Sequence, residues 1–433
     1  MRRLLLVFLL IPALAAAQER PRNVVLFIGD GFGPAFATMA RQATGRPLAL
    51  DGILAGSIGT ASSTSEVTDS AAGATAYACA LRTFDSAIAM DDARQPCRTI
   101  LEAAEARGMA TGLVATSRIT HATPASFAAH VPDRDMEAEI AARMVKLGIE
   151  VLFGGGARFF TPEAIGGSRT DPHDLIEQAR RAGVHVATSR AEYDALAAVP
   201  ALALLADDHL AYELDRDETD EPSLAEMTRK ALDLLSESEA GEEEGFFLMV
   251  EGSRIDHAAH GNDPAGTLGD VLAYDAAVAV ALGFAREDGR TLVVGVSDHE
   301  TGGLALGRDN VYDWQPAFLA AVSQTADRMA DRLRAGEAPA GVLASGANVT
   351  TLTPAEEAAL VAAMEGQPGP GVEAVVADVL SRRAGVGWTT GGHTAVDVPL
   401  YSFGPGSERL RGVMRNDAVG QALFDALDLE TGR

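Results

Sequence analysis

The chain has 433 residues, 47% of them hydrophobic, and its 61 acidic against 35 basic side chains give a net charge of −26 at pH 7. Such acidity disfavours nucleic acid and anionic membranes as partners, and it repels an anionic substrate unless bound cations reverse the sign locally. Two cysteines are too few for a cysteine-based zinc site, so any metal must be held by histidines and carboxylates.

Residues 1–17 read as a secretory signal peptide: Arg2 and Arg3 lead an apolar run, Leu4 to Ala17, that ends in the small residues Ala15, Ala16 and Ala17. Gln18 follows the expected cut where a lipoprotein would have Cys, and the C-terminal LDLETGR has no apolar tail, so no membrane anchor is expected. Residues 18–433 should therefore form a periplasmic or secreted protein. In that oxidising setting Cys79 and Cys97 can pair across a short loop.

The first apolar run, NVVLFIGDG (23–31), reads as a buried parallel strand closed by Asp30. A carboxylate there caps the next turn or holds a cation. SEVTDSAAGATAYACA (65–80) opens with hydroxyls and acids and continues as a small-residue helix. Thr68, Asp69 and Ser70 suit capping. Ser70 also sits where free amides and the helix dipole favour negative charge, as a nucleophile requires. The small residues behind it permit close packing.

ATGLVATS (110–117) reads as a second strand, followed by THATPASFAAHVPDRD. Thr123, before Pro124, reads as a helix start whose hydroxyl can serve as the cap. Arg134 falls beyond that helix, where a guanidinium either lies on the surface or grips phosphate oxygens bidentately. EVLFGGG (150–156) and FFLMVEG (246–252) are further strands. Between them Ser223 and Glu226 open a helix as a capping box, and SESEAGEEEG (236–245) reads as a solvated acidic loop.

Glu251 ends its strand. Asp256 and His260 stand four apart in a helical turn and share a face, a spacing that serves a solvated ion pair or a single cation such as Zn2+. TLVVGVSDH (291–299) places Asp298 and His299 side by side, and they reach one ion only where the chain leaves the sheet. Gly302 and Gly303 suit that turn. Residues 304–388 hold helical patterns such as TPAEEAALVAAM, capped by Thr353 and Glu356, and no clear apolar strand; they read as an inserted cap. His393 follows Gly391 and Gly392 in a loop.

Strands alternating with helices specify an α/β fold with a mostly parallel sheet. In such sheets ligands bind beyond the carboxyl ends of the strands. Four carboxylates (Asp30, Glu251, Asp256, Asp298) and three imidazoles (His260, His299, His393) occupy those ends or the adjoining turns, a set large enough for more than one ion. Divalent cations held there would let so acidic a protein bind an anion.

In order along the chain, V-T-D-S-A-A-G-A-T-A-Y, H-A-T-P-A with Arg134 after it, V-E-G-S-R-I-D-H-A-A-H, S-D-H-E and G-G-H-T resemble the alkaline phosphatase family. The resemblance implies a three-layer α/β/α sandwich in a single catalytic domain, a homodimer, and hydrolysis of phosphate monoesters through a covalent phosphoserine. It implies two zinc ions and one magnesium ion. The first zinc would be held by Asp256, His260 and His393, and the second by Asp30, Asp298 and His299 close to Ser70. Magnesium would share Asp30 and add Thr123 and Glu251. Arg134 would bind the phosphoryl oxygens, with Asp69 holding it in place.

His121 and His257 stand where some members of that family have Asp and Lys, which implies weaker retention of the magnesium ion. Two rival readings have different substrates or none: a related metallo-esterase for phosphodiesters or sulfate esters, and a secreted phosphate-binding protein without turnover. Ser70 leads Ser-Ala-Ala-Gly-Ala, not the C/S-x-P-x-R of sulfatases, and diesterases often place Thr at this position. Binding alone would not need Ser70.

Overall fold

The computed structural model describes residues 20–432, so the signal peptide expected over residues 1–17 lies outside the described residues. Alternation along the central strands builds the fold. Val25 and Phe27 face one hydrophobic layer, and Val24, Leu26 and Ile28 face the other. Phe246, Leu248 and Val250 divide from Phe247 and Met249 in the same way. A strand that buries both faces must lie between two helical layers.

The strands in chain order are β1 (Asn23–Gly29), β2 (Leu54–Gly59), β3 (Ala110–Arg118), β4 (Val151–Gly155), β5 (His185–Ala187), β6 (Ala201–Leu204) and β7 (Phe246–Gly252). After them come β8 (Thr291–Val296), β9 (Glu300–Thr301), β10 (Ala305–Leu306), β11 (Val386–Gly387), β12 (His393–Thr394), β13 (Val398–Phe403) and β14 (Gly412–Arg415). Ten of them form one sheet in the order β14-β2-β13-β8-β1-β7-β3-β4-β6-β5. Its pairs are parallel except those of β13, which runs antiparallel to both β2 and β8.

Helices Pro34–Thr44, Leu224–Ser236 and Pro264–Asp288 pack on one face of the sheet, and Ile100–Arg107, Glu137–Leu147 and Asn416–Leu427 on the other. This is the expected three-layer α/β/α sandwich. The capping boxes at Ser223 and Glu226 and at Thr353 and Glu356 both form. Pro264–Asp288 is the one described helix long and apolar enough to cross a membrane, but most of its residues are buried inside the molecule. It serves as a core helix.

Two local readings change. The acidic stretch 236–245 is not all loop, because Ser238 caps a short helix, Glu239–Glu243, by accepting from the Gly241 amide at 3.0 Å. Thr123 does not cap its helix: Ala122–Ala128 begins after His121, which makes no side-chain capping bond. Residues 304–388 contain five helices and the β10–β11 ribbon. Met329, Leu333, Val376 and Leu380 from this region join the same hydrophobic layer as Val25 and Phe27.

Register places the site. Ile28 on β1 pairs with Glu251 on β7 and with Val296 on β8, so three carboxyl ends finish level at the centre of the sheet.

Candidate active site

Asp30 follows β1 directly and is fully buried. β8 stops at Val296, so Asp298 and His299 lie past the sheet edge and both turn to one centre. His299 Nε2 lies 3.5 Å from Asp30 Oδ1 and 3.4 Å from Asp298 Oδ2. The other Asp298 oxygen accepts from the amides of Gly31, at 3.2 Å, and His299, at 3.1 Å. Gly31 makes this possible: its φ is +71°, and a Cβ there would come within 2.9 Å of Asp256 Oδ1.

Ser70 is the first residue of helix Ser70–Cys79, and its Oγ lies 3.1 Å from His299 Nε2. Asp69 caps the helix by accepting from the Ala72 amide at 3.0 Å. Its second oxygen accepts from the Ser86 amide at 3.0 Å and from Arg134 Nη1 at 3.3 Å. The helix approaches Asp298 closely, because a Cβ on Gly73 would lie 2.9 Å from the Asp298 carbonyl oxygen. A larger residue at that position would push Ser70 away from the cluster.

A second group converges beside the first. Asp256 and His260 sit on helix Arg254–His260, with His260 Nε2 at 3.3 Å from Asp256 Oδ2. His393 Nε2 lies 3.7 Å from Asp256 Oδ1 and 3.1 Å from His260 Nε2. Backbone carbonyls orient both rings: Gly391 receives His260 Nδ1 at 2.7 Å, and Thr68 receives His393 Nδ1 at 2.8 Å. The β9–β12 ribbon pairs His393 with Thr301, and this pairing delivers the loop histidine to the cluster. Thr301 Oγ1 donates to Asp256 Oδ1 at 2.5 Å and lies 3.2 Å from His299 Nδ1, so one hydroxyl touches both groups. Sequence reasoning missed Thr301, because only the ribbon reveals its position.

The third group is Asp30, Glu251, His121 and Thr123. Ligand atoms of Asp30, His121 and Glu251 lie within 4.8 Å of one another. Thr123 Oγ1, His121 Nδ1, Glu251 Oε1, both Asp30 oxygens and Asp298 Oδ2 are buried without a hydrogen-bond partner. Buried carboxylate oxygens with no donor are costly unless a cation supplies the missing charge. The donor set therefore fits divalent cations, with carboxylates and imidazoles for zinc, and oxygens for magnesium.

Electrostatics point the same way. Burial and the neighbouring Asp298 push Asp30 well above the usual carboxylate range. Burial and Asp256 push Asp298 up to about 8, and burial, with Asp256 adding to it, raises Glu251 to about 7. Asp256, although buried, is held low by its bond to His260. That same bond to Asp256 raises His260 to about 9. Four acids in so dry a space repel one another, and bound cations remove the conflict.

Arg134 is also held by His121, whose Nε2 receives Nη2 at 3.1 Å. His257 and His209 complete a trio of imidazoles around His121. The ring of His209 lies 4.4 Å from that of His257 and 5.5 Å from that of His121. Burial and Arg118 depress His209 to about 3. Nothing in ADDHLAYE (206–213) marked His209, a lone histidine in a loop.

A family model described as alkaline phosphatase matches residues 21–429. The alkaline phosphatase of Schizosaccharomyces pombe is 39% identical over 94% of this chain and 81% of its own length. The crystal structure of Thermus thermophilus alkaline phosphatase superposes with a TM-score of 0.85, at 33% identity over 95% of this chain and 92% of that one. A His-to-Asp variant of alkaline phosphatase from the Antarctic bacterium TAB5, described with Mg bound in its M3 site, has a TM-score of 0.71. It is 28% identical over 95% of this chain and 99% of its own. Fold and donor set are together those of a metal-dependent hydrolase. The chain belongs to the alkaline phosphatase family, the phosphoric monoester hydrolases.

Proposed function

We propose that this chain hydrolyses phosphate monoesters through a covalent phosphoserine at Ser70. The reading assigns one zinc ion to Asp256, His260 and His393 and a second to Asp30, Asp298 and His299. It assigns magnesium to Asp30, Thr123 and Glu251. The observation that carries it is the set of partnerless buried oxygens on Asp30, Asp298 and Glu251, gathered around a serine hydroxyl at a helix N-terminus. When bound, the ions lower the pKa of the serine hydroxyl and of water and offset charge on the oxygens that enter and leave phosphorus.

Ser70 gives its proton to solvent, and its oxygen forms a bond to phosphorus as the bond to the ester oxygen breaks; the leaving alkoxide takes a proton from water. Water then displaces the Ser70 oxygen, which regains a proton as inorganic phosphate departs. Arg134 binds the remaining phosphoryl oxygens, and the free amides of the Ser70 helix turn face the same charge. Asp69 fixes the Arg134 guanidinium, and Thr301 orients Asp256 and His299. His121 stands where an acid would strengthen the third site, and both a His-to-Asp and a His-to-Glu variant of the TAB5 relative are described with Mg bound in an M3 site.

The leader sequence supports export to the periplasm or outside the cell, and a homodimer is the assembly we expect by analogy with the family. Acid quenching during turnover should trap one phosphoryl group per chain, mapped to Ser70 by mass spectrometry. Label on another residue, or none, contradicts this chemistry. Parallel rates on monoester, diester and sulfate ester substrates should favour the monoester.

A further inference from the structure

Arg134 lies outside any helix or strand, after Ala122–Ala128 and before Glu137–Leu147. No backbone ladder therefore fixes its position relative to Ser70. The missing restraint comes from residues 80–98, a segment without helix or extended strand.

The Ser86 peptide is the point of contact. Its N–H donates to Asp69 Oδ2 at 3.0 Å, and its carbonyl accepts from the Arg134 N–H at 3.0 Å. The backbone of one residue, through the peptide groups on either side of its Cα, thus touches both the acid that holds the guanidinium and the backbone that carries it. Ser86 has a φ of +69°, and Ala80, Ala89 and Arg94 in the same segment also have positive φ. Non-glycine residues take that conformation at a cost, so outside restraints must hold the segment in shape.

Those restraints lead back to the helix that bears Ser70. Thr75 Oγ1 on this helix donates to the Ala87 carbonyl at 3.1 Å and accepts from the Ala89 amide at 3.0 Å. Ile88 exchanges backbone bonds of 3.0 and 3.2 Å with Val131, three residues before Arg134. Cys97 N–H donates to the Ala89 carbonyl at 3.0 Å, and Cys97 is joined by a disulfide to Cys79, the last residue of the helix. The segment is thus a closed loop with one side on the Ser70 helix and the other on the Arg134 strand of chain.

We infer that the Cys79–Cys97 disulfide and the Ser86 peptide position Arg134 over Ser70, so that phosphate affinity depends on an oxidised loop. Neither cysteine is among the residues assigned to substrate or metal. Both act through Ser86, which acts on Asp69 and Arg134. The inference rests on the assignment of Arg134 to the phosphoryl oxygens.

The test uses the full metal-loaded enzyme and compares Cys79→Ser/Cys97→Ser, Ser86→Pro, Ser86→Gly and Arg134→Ala with wild type. The readouts are the inhibition constant of inorganic phosphate, KM and kcat on p-nitrophenyl phosphate, and zinc and magnesium content. The double serine variant should weaken phosphate inhibition and raise KM about tenfold, with metal content unchanged and kcat less affected. Ser86→Pro should do the same, since proline removes the N–H and cannot take a positive φ. Ser86→Gly, which keeps both backbone groups, should retain wild-type affinity.

If the double variant does not fold, Ser86→Pro against Ser86→Gly decides. Unchanged phosphate affinity, or a loss matched by loss of metal, overturns the inference. Unchanged affinity in Arg134→Ala overturns instead the assignment beneath it.

Discussion

Ser70 Oγ and His299 Nε2 lie 3.1 Å apart, although 229 residues separate them in the chain. Both are buried, and burial together with His393 keeps the His299 pKa well below that of an ordinary histidine. The imidazole therefore stays neutral, with a lone pair available to the zinc ion proposed for Asp30, Asp298 and His299. Replacing Ser70 with Ala removes the proposed nucleophile and leaves these donors intact. Turnover of p-nitrophenyl phosphate should fall at least about a thousandfold, while zinc content stays at the wild-type level. Wild-type turnover in this variant would show that Ser70 is not the attacking group.

Thr301 joins the two zinc-type groups through one hydroxyl, donating to Asp256 and touching His299. Thr301→Val keeps the shape and deletes both contacts. Partners of this kind orient metal ligands, so zinc affinity should drop roughly 10- to 100-fold in competition with a chelator. Unaltered zinc affinity would mean that the ligands orient themselves.

His121 offers an imidazole where the third site is otherwise built from oxygens of Asp30, Glu251 and Thr123. Magnesium prefers oxygen ligands and binds weakly to nitrogen. After exhaustive dialysis, His121→Asp should retain more magnesium than wild type by elemental analysis. Equal retention would exclude His121 as the cause of weak binding.

Glu105 lies against Glu150, with the Thr111 hydroxyl between them. Burial raises its pKa from 4.5 to about 7, against the Thr111 hydrogen bond and with the help of Glu150. An acid whose folded pKa exceeds its unfolded pKa loses stability as pH rises from the unfolded value, and the penalty is complete above the folded one. Glu105→Gln, neutral throughout, should therefore raise Tm above about pH 7 and lose its advantage below pH 4.5. The gain should be roughly one or two degrees in differential scanning calorimetry. A gain only at low pH would reverse the assignment.

Much of this site was legible because its spacing is local. Asp256 and His260 share a face whatever surrounds them, and the apolar runs ending at Asp30, Glu251 and near Asp298 mark strand ends. The fold class followed from the same runs. What escaped depends on distant pairing. The antiparallel insertion of β13 between β2 and β8 has no signature within Val398–Phe403. Thr301 gains its place only through the β9–β12 ribbon, and His209 only through packing against His257. Thr123 looked like a cap, yet its hydroxyl is buried among carboxylates, because His121 starts the helix.

On the proposed function, cations fill the space between these acids and imidazoles beside Ser70. Anomalous difference density at the zinc absorption edge, from crystals of the purified enzyme, tests it most directly. One peak is expected among Asp256, His260 and His393 and another among Asp30, Asp298 and His299, within bonding distance of Ser70. Featureless density at both positions in an active, untreated crystal would contradict it.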